Sequence, residues 1–175
     1  MKFVFPNRDY EQKAIDYIQE FHVHQSQPHG VSGLDRCLKD SSYADWLDKL
    51  QKDLDIANIP KDRVPAITYF YVREDDSKIV GIINIRLALN DFLRSYGGHI
   101  GYSIRPTERR RGYGTRMLSE ALEVCKIIGL NRLILTCDKE NPASANVIRS
   151  NGGILEAEYI TEFSDSEIQR YIINN

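Results

Sequence analysis

The segment from His99 to Cys137 limits the folds open to this chain more than any other part of it. A β-branched strand, His99–Arg105, is stopped by a proline and leads through an arginine-rich loop into a helix of about residues 112–128. A buried strand, Arg132–Cys137, follows. A strand, a helix and a second strand in this order form a right-handed crossover that places the strands parallel. The segment therefore predicts a sheet covered by a helix, in the α/β class.

The hydrophobic periodicity on either side of this unit changes from helical to strand-like along the chain. Apolar residues recur at helical spacing after Asn7 and after Ser42, and they alternate or run together from Ala66 onward. The other predicted elements are a short strand at 2–6, a connector at 56–65, strands at 66–73 and 78–89, a helix at 141–150 and a closing hairpin of strands 154–163 and 167–173. We expect one domain, since 175 residues suffice for a single core.

Charge and cysteine usage exclude several classes of function. The net charge of −2 does not suit a protein that binds nucleic acid by counterion release. The three cysteines show no CxxC spacing, and His22, His24 and His29 crowd one stretch without a cysteine, so we expect no metal site. No apolar run has the length of a signal peptide or a membrane span, so we expect a cytoplasmic protein without a membrane partner.

Three arginines stand where the helix of the crossover begins. Arg109, Arg110 and Arg111 precede Gly112, and Gly114 follows. A helix N-terminus is partly positive, so each adjacent cation costs about 0.3–1 kcal/mol unless an anion joins it. Glycines there let a ligand approach the free N–H groups of the first turn. The segment predicts a site for a phosphate-bearing ligand, the alternative being a solvated basic run.

The spacing of this loop separates it from two familiar phosphate loops. GxxxxGK[ST] is absent, and GxGxxG would need a glycine at Met117. Residues 109–114, Arg-Arg-Arg-Gly-Tyr-Gly, instead resemble R/Q-x-x-G-x-G/A, the coenzyme A pyrophosphate loop of the GCN5-related N-acetyltransferase (GNAT) superfamily. Residues 98–106 resemble the strand before that loop, and residues 141–153 resemble the Asn-containing segment after it. The likeness runs from about residue 64 to residue 163.

The resemblance implies a fold and a ligand. The fold would be a mixed, mostly antiparallel sheet with helices on both faces, whose fourth and fifth strands splay apart to receive the pantetheine of acetyl-CoA. Residues 1–60 would form a helical acceptor-side cover, 64–163 the acetyl-CoA-binding core and 154–173 the C-terminal hairpin. The residues expected to bind the coenzyme are Ile104, through its backbone N–H, and Arg109, Arg110, Arg111, Gly112, Tyr113, Gly114, Thr115, Asn141 and Ser144. Asn141 could also be a turn residue before Pro142.

Acetyl transfer also needs a base for the amine and an acid for the thiolate. His99 opens the strand at a place where many GNAT members carry a glutamate that works through water, and histidine has a suitable unperturbed pKa. The alternative is a strand-end histidine bonded to the backbone. Tyr102 points to the opposite face, where it would be a core residue or a thiolate contact. The family's usual acid, a tyrosine in the last helix, is replaced by Ile148.

Two weaker candidates complete the site. Asn84 and Arg86 share one face of a strand, where Arg86 could meet a carboxylate of the acceptor or be solvated. Cys137 ends a buried strand, where an inert thiol is commoner than a nucleophile.

The predicted function is N-acetyl transfer from acetyl-CoA to an amine of a small molecule or peptide, by direct attack in a ternary complex. The alternative is an acyl-CoA-binding regulatory module without efficient catalysis, for which Ile148 is the argument. The terminal hairpin also offers an edge for a homodimer.

Overall fold

The strands form two sheets that meet at one edge. The structure is a computed structural model, and it describes residues 1–57, 59–60 and 63–175, so part of the predicted connector 56–65 lies outside the described residues. The elements are β1 (Lys2–Val4), α1 (Glu11–Val23), α2 (Leu34–Asp40), α3 (Tyr43–Lys52), β2 (Ala66–Arg73), β3 (Lys78–Arg86), β4 (Ile100–Ile104), α4 (Tyr113–Ile127), β5 (Arg132–Asp138), α5 (Pro142–Ser150), β6 (Ile154–Thr161) and β7 (Ser164–Asn174).

The first sheet has the order β1-β2-β3-β4 and is antiparallel throughout. The second sheet has the order β5-β7-β6 and is also antiparallel, so the last strand lies in its middle. β4, α4 and β5 form the expected crossover, and no ladder joins β4 to β5 in the described chain. The predicted mixed fold with two splayed strands is therefore confirmed.

Helices cover the first sheet on both faces because neighbouring residues of β2 and β3 point in opposite directions. Tyr71, Ile83 and Ile85 pack in a core with α4, α5 and the second sheet. Phe70 and Ile82 pack in another core with α1, α2 and α3, where the buried Trp46 and Tyr17 are among the largest side chains. The N-terminal helices are thus a firmly packed layer over one face.

Capping residues set where two of the helical segments begin. The Asn7 side chain accepts a hydrogen bond from the Asp9 N–H and caps the 3₁₀ turn that leads into α1. The Ser42 hydroxyl accepts from the Asp45 N–H at 3.1 Å and caps α3. The helical spacing of apolar residues was predicted to follow these two residues.

Three local expectations were wrong or incomplete. α2 was not predicted, because it has only seven residues and begins at Gly33 without a side-chain cap. The closing turn lies at residues 162–163, not at 164–166, because Thr161 already pairs with Ser164. A short helical turn at Leu93–Gly97 also lies within the long connection from β3 to β4.

Within the part of the chain that is described, no helix combines the length and the apolar character needed to cross a membrane.

Candidate active site

A cleft opens between β4 and β5, which are joined by hydrogen bonds between His99, just before β4, and Ile134 in β5. The His99 N–H donates to the Ile134 carbonyl oxygen at 2.7 Å, and the Ile134 N–H donates to His99 Nδ1 at 2.9 Å. Beyond this contact the strands diverge and enclose a space of about 750 Å³. That volume is in the range of small-molecule sites.

Most of the residues expected to bind the coenzyme line this cleft. They are Ile104, Arg109, Arg110, Gly112, Tyr113, Gly114, Thr115, Asn141 and Ser144. Arg111 does not line it. The structure therefore brings together two segments, residues 104–115 and 141–144, that are separated in sequence.

Arg111 faces a buried carboxylate instead of the cleft. Its Nη1 lies 3.1 Å from Glu108 Oε2, and Arg73 and Lys78 contact the same carboxylate. Burial favours the neutral acid, but the Lys78 hydrogen bond and the charges of these three cations lower the pKa of Glu108 below its usual value. Arg111 thus shares Glu108 with two other cations, and its role in binding the coenzyme stays a prediction.

The other two arginines stand at the entrance to α4. The Arg109 guanidinium donates to the Ile104 carbonyl oxygen and to Ser26 Oγ, and it lies 5.4 Å from the ring centroid of Phe21. Arg110 is exposed and adopts a left-handed backbone conformation with φ of +61°. Both cations reach the cleft at the helix N-terminus, where an anion is also favoured by the helix dipole.

Gly112 caps α4 in a conformation that suits glycine. Its φ is +77°, and a Cβ placed on it would meet nothing within 4 Å. The space in front of the first turn of α4 is therefore open, and the free N–H groups of this 15-residue helix face it. An anionic group of a ligand fits this cradle without displacing a side chain.

Peptide groups of β4 offer hydrogen-bond donors along one wall of the cleft. The Arg105 N–H donates to Val80, and the His99 carbonyl accepts from Arg86, so the odd-numbered residues face β3. Peptide orientation alternates along an antiparallel strand. The N–H groups of Tyr102 and Ile104 consequently point towards β5 and into the cleft, as expected for Ile104.

Tyr102 and Ser144 meet across the cleft. The Tyr102 hydroxyl lies 2.9 Å from Ser144 Oγ, and burial raises the pKa of Tyr102 well above its usual value of 10.0. The phenol is therefore protonated at neutral pH and can donate a hydrogen bond, although its raised pKa makes it a weaker acid than a free tyrosine. Asn141 supports this arrangement because its Oδ1 caps α5 through the Ser144 N–H at 3.1 Å.

His99 lies at the closed end of the cleft and does not line it. Burial lowers the pKa of His99 below 6.5, and the nearby charges of Arg86, Arg94 and Arg132 lower it further. The hydrogen bond from Ile134 uses Nδ1, which favours a role in holding β4 against β5. The general-base role of His99 stays a prediction.

Two residues that bear on alternative chemistry are buried. Burial raises the pKa of the Cys137 thiol to about 11, so this cysteine is a poor nucleophile at neutral pH although it lines the cleft. Ile148 is fully buried, and the neighbouring Val147 lines the cleft. An acid from α5 is thus absent at both positions.

The loop between α1 and α2 closes the other side of the cleft. A Cβ on Gly30 would lie 2.1 Å from the Gly101 carbonyl carbon, so only glycine permits this backbone approach to β4. Ser32 anchors the loop because its hydroxyl contacts Thr68 at 2.8 Å. Sequence reasoning missed that His29 and Gly30 line the cleft, because the approach of Gly30 to Gly101 joins distant segments of the chain.

Comparison with known proteins identifies a family and several solved structures that share the fold. The acetyltransferase (GNAT) domain family matches residues 8–154. No curated protein matches the sequence significantly. Among solved structures, a ribosomal-protein-S5-alanine acetyltransferase from Vibrio fischeri has a TM-score of 0.73 at 16% identity, covering 99% of this chain and 92% of that one.

Two further structures share the fold. The microcin C7 self-immunity acetyltransferase in complex with acetyl-CoA and AMP has a TM-score of 0.71 at 16% identity, covering 99% of this chain and 91% of that one. A spermidine N-acetyltransferase chimera from Vibrio cholerae and hSSAT has a TM-score of 0.65 at 13% identity, with 99% and 94% covered.

Proposed function

This chain belongs to the GNAT acetyltransferase family, and we propose that its cleft between β4 and β5 transfers the acetyl group of acetyl-CoA to an amine of a small molecule or peptide. One observation carries the proposal. β4 and β5 part at the His99–Ile134 contact and leave a cleft with an anion-binding end, inward N–H donors and a protonated phenol.

The anion-binding end suits the pyrophosphate of the donor. Arg109 and Arg110 supply charge, and the first turn of α4 supplies N–H groups in front of the open space at Gly112. Ser144 and Asn141 line the opposite wall, where they would contact the pantetheine arm. The donor would thus lie along β4, with its pantetheine arm running from the phosphate end towards the strand's first residues.

The N–H groups of β4 would polarise the thioester carbonyl. Negative charge develops on its oxygen as the amine nitrogen attacks the carbonyl carbon. A fixed donor for such an oxygen contributes about 3–4 kcal/mol to catalysis. We assign this donor to the N–H of Ile104 or of Tyr102, since both point into the cleft.

Tyr102 would protonate the leaving group. The new C–N bond forms, the C–S bond breaks with its electron pair on sulfur, and the thiolate takes a proton from the Tyr102 hydroxyl. The amine loses one proton to a base or to water, and Tyr102 regains a proton by way of Ser144 or solvent. Starting from the neutral amine, the products are the N-acetyl amine and the free thiol, with no net release of a proton. This acid takes the place of the tyrosine that α5 lacks.

The experiment is a thiol-release assay with acetyl-CoA and a panel of amines. The panel includes polyamines, peptides with free N-termini and amino acids, because structurally similar enzymes act on a ribosomal protein and on spermidine. Release that depends on an amine, with the acetylated product seen by mass spectrometry, supports the proposal. CoA binding without release for any amine would favour the regulatory module, and absence of CoA binding would refute both.

A further inference from the structure

Arg86 presents unused hydrogen-bond donors at one end of the cleft. It is the last residue of β3, and its Nη1 donates to the carbonyl oxygens of Gly97 at 2.5 Å and Gly98 at 2.9 Å. A guanidinium has five N–H donors. Among the described residues, none accepts a hydrogen bond from Arg86 Nε or Nη2.

The charge of Arg86 has no counter-ion in the described part of the chain. Its guanidinium is largely buried, and no carboxylate there forms an ion pair with it. Burial alone lowers the pKa of Arg86 to about 10. Buried charges in proteins are usually paired, because desolvation of an unpaired charge is costly. An anion that binds in the cleft would relieve this cost.

The position of Arg86 separates it from the phosphate end of the cleft. Its Nη2 lies 3.2 Å from where a Cβ of Gly101 would be, next to Tyr102. From Ile100 to Ile104 the strand rises about 14 Å, at 3.4 Å per residue. Arg109 and Gly112 lie beyond Ile104, so the donor pyrophosphate and Arg86 occupy opposite ends. Arg86 faces the acceptor.

Two further cations lie near this end of the cleft. The charges of Arg94 and Arg132 lower the pKa of His99, as that of Arg86 does, and Arg132 is also paired with Glu156 at 3.3 Å. The acidic residue that lines the cleft near β5 is Asp138, four residues and about 13 Å along the strand from Ile134. This end therefore attracts an anionic group and disfavours a polycation.

We propose that Arg86 binds a carboxylate of the acceptor, so that the acceptor is a short amino carboxylate such as a free amino acid. The proposal rests on the proposed acetyl transfer and names its substrate class. A carboxylate bound to Nε and Nη2 would form two charge-assisted hydrogen bonds. Because Gly101 is adjacent to Tyr102, an amine a few bonds from that carboxylate would lie close to the thioester.

A purely structural role for Arg86 makes a different prediction. Its two bonds to the turn at Gly97 and Gly98 hold the start of β4. Loss of that function would lower the activity on every amine alike. Loss of carboxylate recognition would lower the activity only on acceptors that carry a carboxylate.

The test compares free amino acids with their carboxamides and decarboxylated amines in the thiol-release assay. Wild-type kcat/KM should favour the best amino acid over its carboxamide by at least about tenfold. Arg86→Gln should remove that preference and leave the KM for acetyl-CoA unchanged, and Arg86→Lys should keep part of it. Arg36→Gln, at an exposed arginine of α2 that does not line the cleft, is the matched control and should keep all of it.

Two outcomes would overturn the assignment. Wild-type protein that acetylates carboxamides or decarboxylated amines as well as amino acids has no carboxylate site, and this result does not require a folded variant. A preference that survives in a folded Arg86→Gln protein places the site elsewhere. Either result leaves acetyl transfer itself intact, whereas failure of every amine to release thiol would refute the proposed function.

Discussion

Gly112→Asp would place a carboxylate where we propose that the donor pyrophosphate binds. A Cβ on Gly112 meets nothing within 4 Å, so the cost to the fold is the left-handed backbone, about 1–2 kcal/mol for a residue with a side chain. Two like unit charges 4 Å apart repel by about 1 kcal/mol in water and about 4 kcal/mol at an effective dielectric constant of 20. The Kd for CoA should therefore rise by between about fivefold and several hundredfold.

Two controls separate charge from backbone strain in this experiment. Gly112→Asn brings the same strain without the charge. Gly152→Asp brings the same charge at a glycine with φ of +81° and open space around its Cβ, away from the cleft. Calorimetric titration with CoA and thermal unfolding of all three variants should show a comparable loss of stability, but weak binding only in Gly112→Asp. An unchanged Kd in that variant, or an equal rise in all three, would refute the anion site.

The remaining predictions concern Tyr102 and His99. Tyr102→Phe keeps the ring and should lower kcat by about 10²–10⁴ without changing the Kd for CoA. An acetyl donor with a more acidic thiol should reduce the difference in kcat between wild type and variant. An unchanged kcat would exclude the acid role. His99→Ala removes the acceptor of the Ile134 N–H and should lower the free energy of unfolding by about 1–3 kcal/mol. The pH profile of kcat/KM per folded molecule should still fall on its acid side. If that acid-side fall is lost and kcat/KM drops by about 10²–10⁴, the base role of His99 is established instead. The pKa of His99 is lowered from 6.5 in the folded chain, so the unfolded chain binds more protons than the folded chain as the pH falls through that value. The free energy of unfolding should therefore decline below pH 6.5. Urea unfolding at pH 7 and pH 5 should show a smaller decline in His99→Ala than in the wild type.

Local patterns in the sequence were sufficient for the elements that carry the cleft. The strand before Pro106, the glycine at the start of α4 and the short helix after Asn141 each have a signature within a few residues, and the structure has all three. The separation of β4 from β5 was predicted from the resemblance to the GNAT family and not from local patterns. These features determine where the donor would bind.

Contacts between distant segments could not be predicted in this way. Glu108 captures Arg111 only because Arg73 and Lys78 come from the β2–β3 hairpin to bury the same carboxylate. His99 contacts the amide of Ile134, which lies 35 positions further along the chain. The shape of the acceptor end likewise depends on the close backbone contact between Gly30 and Gly101. In each case the side chain's role follows from a partner whose position only the folded chain defines.

The place of β7 in the second sheet has a consequence for how the protein is made. β5, one wall of the cleft, has its ladder with residues 168–174 of β7, the last strand of the chain. During translation β4, α4 and β5 leave the ribosome before β7, and domains generally fold from the N-terminus during synthesis. The nascent chain can therefore form its first sheet early, but β5 cannot form its ladder until translation has passed β7. Coenzyme binding can stabilise only chains that have reached that point.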